Sequence, residues 1–317
     1  MNKLINAKCI CKDSLTKNDI NMIAILPCEH LIHFSCVKYI RNKKCPYCNI
    51  QISNLITFNE IKKEVVKKNK SYYQLYIDMI AVHNIGNSGE IIYSNLIPRM
   101  PSFMKILTNF LYLKNEKEFD SFINDLFDLI KVQIYIKGKE KLNKQKKVYI
   151  ANHTSYIDPL IIYYLLRCSF LASPVLQSMW YCKHIPDIFP LLLIERGKDQ
   201  NTVDKIKEFI DNKRSLCLFP EGMITHPKTM ITFRSGAFHT GHPVQPIVIN
   251  YKPGFYDGDY NNFLMKLISQ DEIKIYINVL DTYYPPFDNN KIEQIRQDMA
   301  NAGGYSLSRI SNRDIKD

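Results

Sequence analysis

The chain has 317 residues, 46% apolar and 23% charged, with a net charge of +11, which accommodates one small and one larger domain. No window of about twenty residues is apolar enough to span a bilayer, and Met1 to Lys8 lacks the apolar core of a signal peptide. Neither a bilayer-spanning chain nor a secreted disulfide scaffold is expected, and an intracellular, reducing compartment is.

Six of the nine cysteines precede residue 50 and interleave with two histidines, as Cys9 and Cys11, Cys28 and His30, His33 and Cys36, and Cys45 and Cys48. Thiolate and imidazole ligands at one- and two-residue separations suit tetrahedral zinc. The run from Leu26-Pro27-Cys28-Glu29-His30 to His33-Phe34-Ser35-Cys36, followed by Cys45-Pro46-Tyr47-Cys48, resembles a RING finger of the two-histidine kind. The resemblance implies two interleaved structural Zn2+ sites. One takes Cys9, Cys11, His33 and Cys36; the other takes Cys28, His30, Cys45 and Cys48. So short a domain has little core, and the metals would carry much of its folding free energy. A ubiquitin-conjugating enzyme is an implied partner, docking at Ile10, Tyr39 and Pro46. Two departures bear on this: Cys9-x-Cys11 is one residue shorter than the usual first pair, and Asn49 stands where active ligases often place a basic residue. A purely structural zinc module, or one that recruits a partner without ubiquitin transfer, is the alternative.

Residues 1–70 hold thirteen Lys and Arg against five Asp and Glu, so +8 of the +11 is amino-terminal. By composition this charge suits nucleic acid or an anionic membrane equally. Lys62, Lys63, Lys67, Lys68 and Lys70 would each contribute about 1 kcal/mol against acidic headgroups, or they form a solvated linker helix. Pro98, Arg99, Pro101 and Lys105 interrupt 91–113. Beyond Pro101, Phe103, Ile106, Leu107, Phe110 and Leu111 recur at helical spacing, and Phe119, Phe122, Ile123, Leu126, Phe127 and Ile130 do so again. Two amphipathic helices are expected, either dipping into one leaflet or packing on a core.

Strands are expected at 132–136, 148–151, 191–195, 216–219, 244–250 and 273–279, with helices at 159–167 and 201–213. That alternation gives an α/β sandwich. Pro285-Pro286-Phe287 reads as a break before a helix over 291–300, and 303–317 as a frayed end.

The strand-to-helix junction at 151–159 carries Asn152-His153-Thr154-Ser155-Tyr156-Ile157-Asp158-Pro159. Ser155-x-x-Asp158 is a helix-capping pattern, so Asp158 could simply satisfy first-turn amides. The sharper reading has His153, held in one tautomer by Asp158, taking a proton from a hydroxyl. Downstream stand Leu191-Leu192-Leu193-Ile194-Glu195-Arg196-Gly197, then Leu216-Cys217-Leu218-Phe219-Pro220-Glu221-Gly222 with Phe233-Arg234-Ser235-Gly236, then Pro243 to Ile249. His226, His239 and His242 near the third block read as loop or core histidines.

These four ordered blocks resemble the glycerolipid acyltransferases of the lysophospholipid acyltransferase superfamily, over roughly residues 90–285. The resemblance implies acyl transfer from acyl-CoA, as co-substrate, to a hydroxyl of a lysophospholipid or lysophosphatidic acid, without an acyl-enzyme. It gives His153 as general base with Asp158 as its partner, and Arg196 as the grip on the acceptor phosphate. Asn152, Phe219, Pro220, Glu221 and Gly222 would shape the acceptor site, with Arg234 where the family often has Lys. The run 233–251 looks closer to the lysophosphatidylcholine-type branch, while the Asn-His block is of the general form. The companion domain favours a membrane over nucleic acid, with monotopic attachment on the cytoplasmic face. The expected organisation is a RING-like zinc finger at 1–56, a basic linker at 57–100, an amphipathic two-helix segment at 101–131, a catalytic core at 132–285, and a terminal helix and tail at 286–317. A competing reading is a membrane- or lipid-droplet-associated ubiquitin ligase or adaptor whose acyltransferase fold only binds lipid.

Overall fold

The computed structural model describes residues 9–11, 22–68, 70–83, 91–174, 185–188, 191–195, 201–254 and 260–312. The chain forms two compact units, one of Met1–Ile85, Lys228–Phe233 and Gly304–Asp317, the other of Gly86–Pro227 and Arg234–Gly303. Elements are numbered along the chain.

In the first unit, β1 (Met22–Leu26), β2 (His30–His33) and β3 (Asn54–Thr57) form an antiparallel sheet of order β2-β1-β3. Thr57 then starts α1 (Phe58–Val66) with a reciprocal cap: Glu60 N–H donates to Thr57 Oγ1 at 3.3 Å, and Thr57 N–H donates to Glu60 Oε2 at 2.8 Å. Lys62, Lys63, Lys67, Lys68 and Lys70 are all exposed. Helix α2 (Tyr73–His83) packs against the parallel pair β9 (Thr229–Thr232) and β12 (Ser306–Ser311).

That packing has a polar centre. Asp78 on α2 is fully buried and accepts from Ser308 Oγ at 2.8 Å, Arg309 N–H at 2.8 Å and Arg309 Nε at 2.7 Å. Arg309 Nη2 also donates to Glu29 Oε2 at 2.7 Å, in the turn between Cys28 and His30. A buried carboxylate is tolerable only when its lone pairs are filled, and β12 supplies the donors. The expected linker at 57–100 is thus largely helical, and the expected frayed end contains a paired strand. The pairing of the chain end was not legible because Asp78 and Glu29 lie more than two hundred residues away in sequence.

The second unit holds a seven-stranded sheet of order β4-β11-β10-β5-β8-β6-β7. Its strands are β4 (Val132–Lys137), β5 (Val148–Ala151), β6 (Ser169–Ala172), β7 (Leu192–Leu193), β8 (Leu216–Leu218), β10 (Val244–Lys252) and β11 (Ile273–Val279). Only β10 against β11 is antiparallel. Central β5 is buried at all four positions, and β11 alternates buried and half-buried residues along its length, as expected for a strand covered on both faces and one covered mainly on one. The helices are α3 (Tyr93–Phe110), α4 (Glu116–Leu129), α5 (Asp158–Leu166), α6 (Ile185–Ile188), α7 (Thr202–Asn212), α8 (Tyr260–Ser269) and α9 (Asn289–Gly303).

Helix α3 begins before the prolines read as a break and carries Pro98 and Pro101 inside it. Side chains from α3 hold it in place: Asn95 Nδ2 donates to Ser269 O at 2.9 Å, and Arg99 Nη1 to Ile268 O at 2.7 Å and to Gln270 O. They fill carbonyls left open at the end of α8, offsetting the bonds the prolines remove. Phe103 and Ile106 of the predicted stripe are buried, as are Phe119, Phe122, Ile123, Leu126 and Phe127 on α4. The stripes are therefore core faces. The large apolar residues left exposed by α3 and the turn after it are Tyr93, Ile97, Met104 and Tyr112, each more than half exposed.

Replacing Arg309 with Ala should remove the Nε and Nη2 contacts to Asp78, leaving the Ser308 hydroxyl and the backbone N–H of residue 309, and lower stability by about 1–3 kcal/mol. Urea unfolding of the full chain measures this; an unchanged midpoint would show that the buried Asp78 does not depend on the Arg309 side chain.

Candidate active site and metal-ligand clusters

The residues singled out in the sequence converge at one edge of the sheet, because β5 and β8 are adjacent and parallel. His153 follows the carboxyl end of β5, and Phe219 to Gly222 follow the carboxyl end of β8. Carboxyl ends of neighbouring parallel strands are where open α/β sheets place their ligand crevices.

Just past β5, Asn152 is buried and bridges to β10 through both ends of its amide. Its Nδ2 donates to Ile249 O at 2.9 Å, and its Oδ1 accepts from Ile249 N–H at 2.8 Å. Those bonds extend the β5–β10 ladder by one rung and fix where the loop begins. Asn152 thus holds the start of the loop in place.

His153 Nδ1 lies 2.9 Å from Asp158 Oδ2, which also accepts from Thr154 N–H at 2.8 Å and Ser155 N–H at 2.9 Å. The other oxygen, Oδ1, accepts from the Tyr251 hydroxyl. Asp158 is fully buried, whereas the His153 side chain is 17% exposed. Pairing of Nδ1 with the carboxylate places the ring proton there and leaves Nε2 as the basic nitrogen. The capping alternative takes a different form here. The N-cap of α5 is Ile157, without a side-chain cap bond, and the amides held by Asp158 belong to the loop before the helix.

The second block closes around the same histidine. Phe219 stacks on the His153 ring at 4.1 Å and 17°. Glu221 is fully buried; its Oε1 accepts from His153 N–H at 3.2 Å and its Oε2 from Thr225 Oγ1 at 2.9 Å. Thr225 N–H in turn donates to His153 O at 2.7 Å. Glu221 and Thr225 therefore clamp the His153 backbone from both sides. Gly222, at φ 73°, returns its N–H to Phe219 O at 2.9 Å, a conformation that favours glycine. Pro220 O accepts from Arg234 N–H at 2.8 Å, and Arg234 is exposed. Burial pushes the Cys217 thiol well up, so this β8 neighbour stays neutral. Arg196 lies outside the described residues, and of the strand expected at 191–195 only Leu192–Leu193 forms one, as β7. Thr225 and Tyr251 went unmarked in the sequence, since neither belongs to a short-range spacing that signals chemistry.

In the first unit the eight predicted ligands fall into two groups, Cys9, Cys11, His33 and Cys36, and Cys28, His30, Cys45 and Cys48, with the ligand atoms of each within 4.8 Å of one another. Cys11 Sγ lies 3.5 Å from His33 Nδ1, and Cys45 Sγ 3.6 Å from His30 Nδ1. Ligands about 2.0–2.3 Å from a tetrahedral zinc are spaced in this way, so the residues fit the ion. The short Cys9-x-Cys11 pair still brings both sulfurs into its group. Burial pushes the Cys28 and Cys36 thiols up to about 12. Tyr47 stacks on His30 at 5.0 Å and donates to Leu31 O at 3.3 Å, holding that ligand in place.

Residues 133–250 match the Acyltransferase family model. The lysophospholipid acyltransferase LPEAT2 of Arabidopsis thaliana is 29% identical over 155 residues, covering 47% of this chain and 29% of its own. The 1-acyl-sn-glycerol-3-phosphate acyltransferase of Saccharomyces cerevisiae is 27% identical over 134 residues, covering 38% of this chain and 44% of its own. The lysophosphatidylcholine acyltransferase of Drosophila melanogaster is 25% identical over 202 residues, covering 57% of this chain and 38% of its own. The chain spans less than half the length of each of these relatives. The matched stretch 133–250 contains the His153–Asp158 pair and the turn from Phe219 to Gly222.

Proposed function

We propose that this protein transfers a fatty acyl chain from acyl-CoA to a free hydroxyl of a lysophospholipid or lysophosphatidic acid. The observation that carries this reading is the His153–Asp158 pair, 2.9 Å apart at the carboxyl ends of β5 and β8. His153 Nε2 takes the hydroxyl proton as the acceptor oxygen attacks the thioester carbonyl. The carbon–sulfur bond breaks, and the proton passes from the imidazolium to the leaving thiolate. Asp158 keeps the imidazole oriented and stabilises its charged form. Arg196 is assigned to the acceptor phosphate on its place in the second block alone. Arg234, exposed beside Pro220, is a second cation for the same anion.

Among the described residues no helix is long and apolar enough to cross a membrane. The exposed Tyr93, Ile97, Met104 and Tyr112 instead suit shallow insertion into one leaflet. Peripheral attachment on a cytoplasmic face is the localisation we favour.

Two structural zinc ions are assigned to the amino-terminal clusters, where they would tie together a unit with a small core. Exposed Tyr39 and Pro46, at positions that the RING resemblance gives to partner docking, favour a second role in binding a ubiquitin-conjugating enzyme. Asn49 in place of a basic residue weighs against transfer activity. A ligase or adaptor without acyl transfer is the competing reading.

Purified protein with labelled acyl-CoA and a panel of lysolipids in vesicles should form diacyl product, and His153→Ala should lower kcat by about a hundred- to ten-thousand-fold. Absence of transfer by the wild-type protein across the panel would defeat the enzyme reading.

Metal analysis should find about two zinc ions per chain, and Cys45→Ser about one. A wild-type chain free of zinc would remove the assignment. Autoubiquitination by the wild-type chain, lost in Cys45→Ser, would extend the function to a ligase.

A further inference from the structure

We infer that Tyr251 is a positioning residue of the catalytic pair, an assignment that rests on the acyltransferase reading. Tyr251 lies near the end of β10, two residues beyond Ile249. Ile249 acts through its backbone N–H and C=O, and Tyr251 through its side-chain hydroxyl. One strand end therefore holds both ends of the catalytic loop: Ile249 binds Asn152 where the loop begins, and Tyr251 binds Asp158 where it ends.

The division of donors at Asp158 gives this contact its meaning. Oδ2 receives His153 and two loop amides, while Oδ1 receives the Tyr251 hydroxyl. A carboxylate can turn about its terminal torsion and exchange its two oxygens, since that torsion is broad. A donor fixed on Oδ1 opposes the turn and keeps Oδ2 toward His153. The same bond withdraws charge from the carboxylate and so moderates the basicity that Asp158 confers on the imidazole. Tyr251 thereby sets the direction of His153 without touching the reacting atoms.

Tyr251→Phe in the full chain removes the hydroxyl and keeps the ring. The expected result is a fall in kcat of about tenfold, at the low end of the effects seen when supporting groups around a catalytic centre are removed, with the acceptor KM unchanged. Loss of the donor leaves more negative charge facing His153. The imidazolium is then favoured, and the acid limb of the kcat profile moves to higher pH. Incorporating 3-fluorotyrosine at 251 strengthens the donor and should move the same limb to lower pH. The imidazole titration of His153 followed by NMR, in the absence of substrate, should shift in the same two directions. Wild-type kcat, pH profile and His153 titration in Tyr251→Phe would overturn the assignment, as would shifts of the same sign in both variants. A wild-type protein that transfers no acyl chain, with His153 titrations that still shift as stated, would sink the enzyme reading and leave the positioning contact standing.

Discussion

The carboxylate of Asp158 is the group around which the catalytic unit is arranged. It is fully buried and accepts from the His153 ring, two loop amides and the Tyr251 hydroxyl. An ionised carboxylate withdrawn from water costs several kcal/mol unless its acceptor sites are filled, and here the donors come from the loop, the histidine and β10. The interactions that make the buried charge tolerable are the same ones that orient the His153 ring. Under the proposed function, stability and activity at this position are one constraint. Any loop geometry that misplaced His153 would also leave the carboxylate short of donors.

A second buried carboxylate does the equivalent work in the amino-terminal unit. Asp78 ties α2 to β12, and Arg309 carries the connection on to Glu29, which sits between two candidate metal ligands. Small units have little apolar surface to remove from water. This one combines a short antiparallel sheet, a buried ionic centre and two clusters of thiols and imidazoles. Its second sheet draws β9 from the stretch between Glu221 and Arg234, so the chain leaves the catalytic unit and returns to it between two residues of one sequence block.

Much of the catalytic unit was legible in the sequence, and the reason differs by element. The β5, β11 and α4 assignments follow from periodicity, since burial on one or both faces dictates the pattern of apolar residues. The extent of α3 did not follow, because its prolines are offset by Asn95 and Arg99 reaching the end of α8. Glu221 was recognised as a site residue, yet its full burial and its bond to the His153 backbone give it a supporting part. The predicted apolar stripe on α3 was real, and it faces inward. The exposed apolar residues Tyr93, Ile97 and Met104 lie outside that buried stripe.

By itself the sequence determined the chemistry on offer: a histidine and an aspartate five residues apart, four ordered blocks, and eight zinc-type ligands in the first fifty residues. Such signals are local, because a loop or turn holds its own residues together whatever surrounds it. Only the tertiary structure decided which supports complete them. Tyr251 lies 93 residues from Asp158, Thr225 lies 72 from His153, and Arg309 lies 231 from Asp78. Contacts over such separations leave no periodic trace in the chain. They exist because strand order brings β5, β8 and β10 side by side, and because buried polar groups must find donors wherever the fold supplies them.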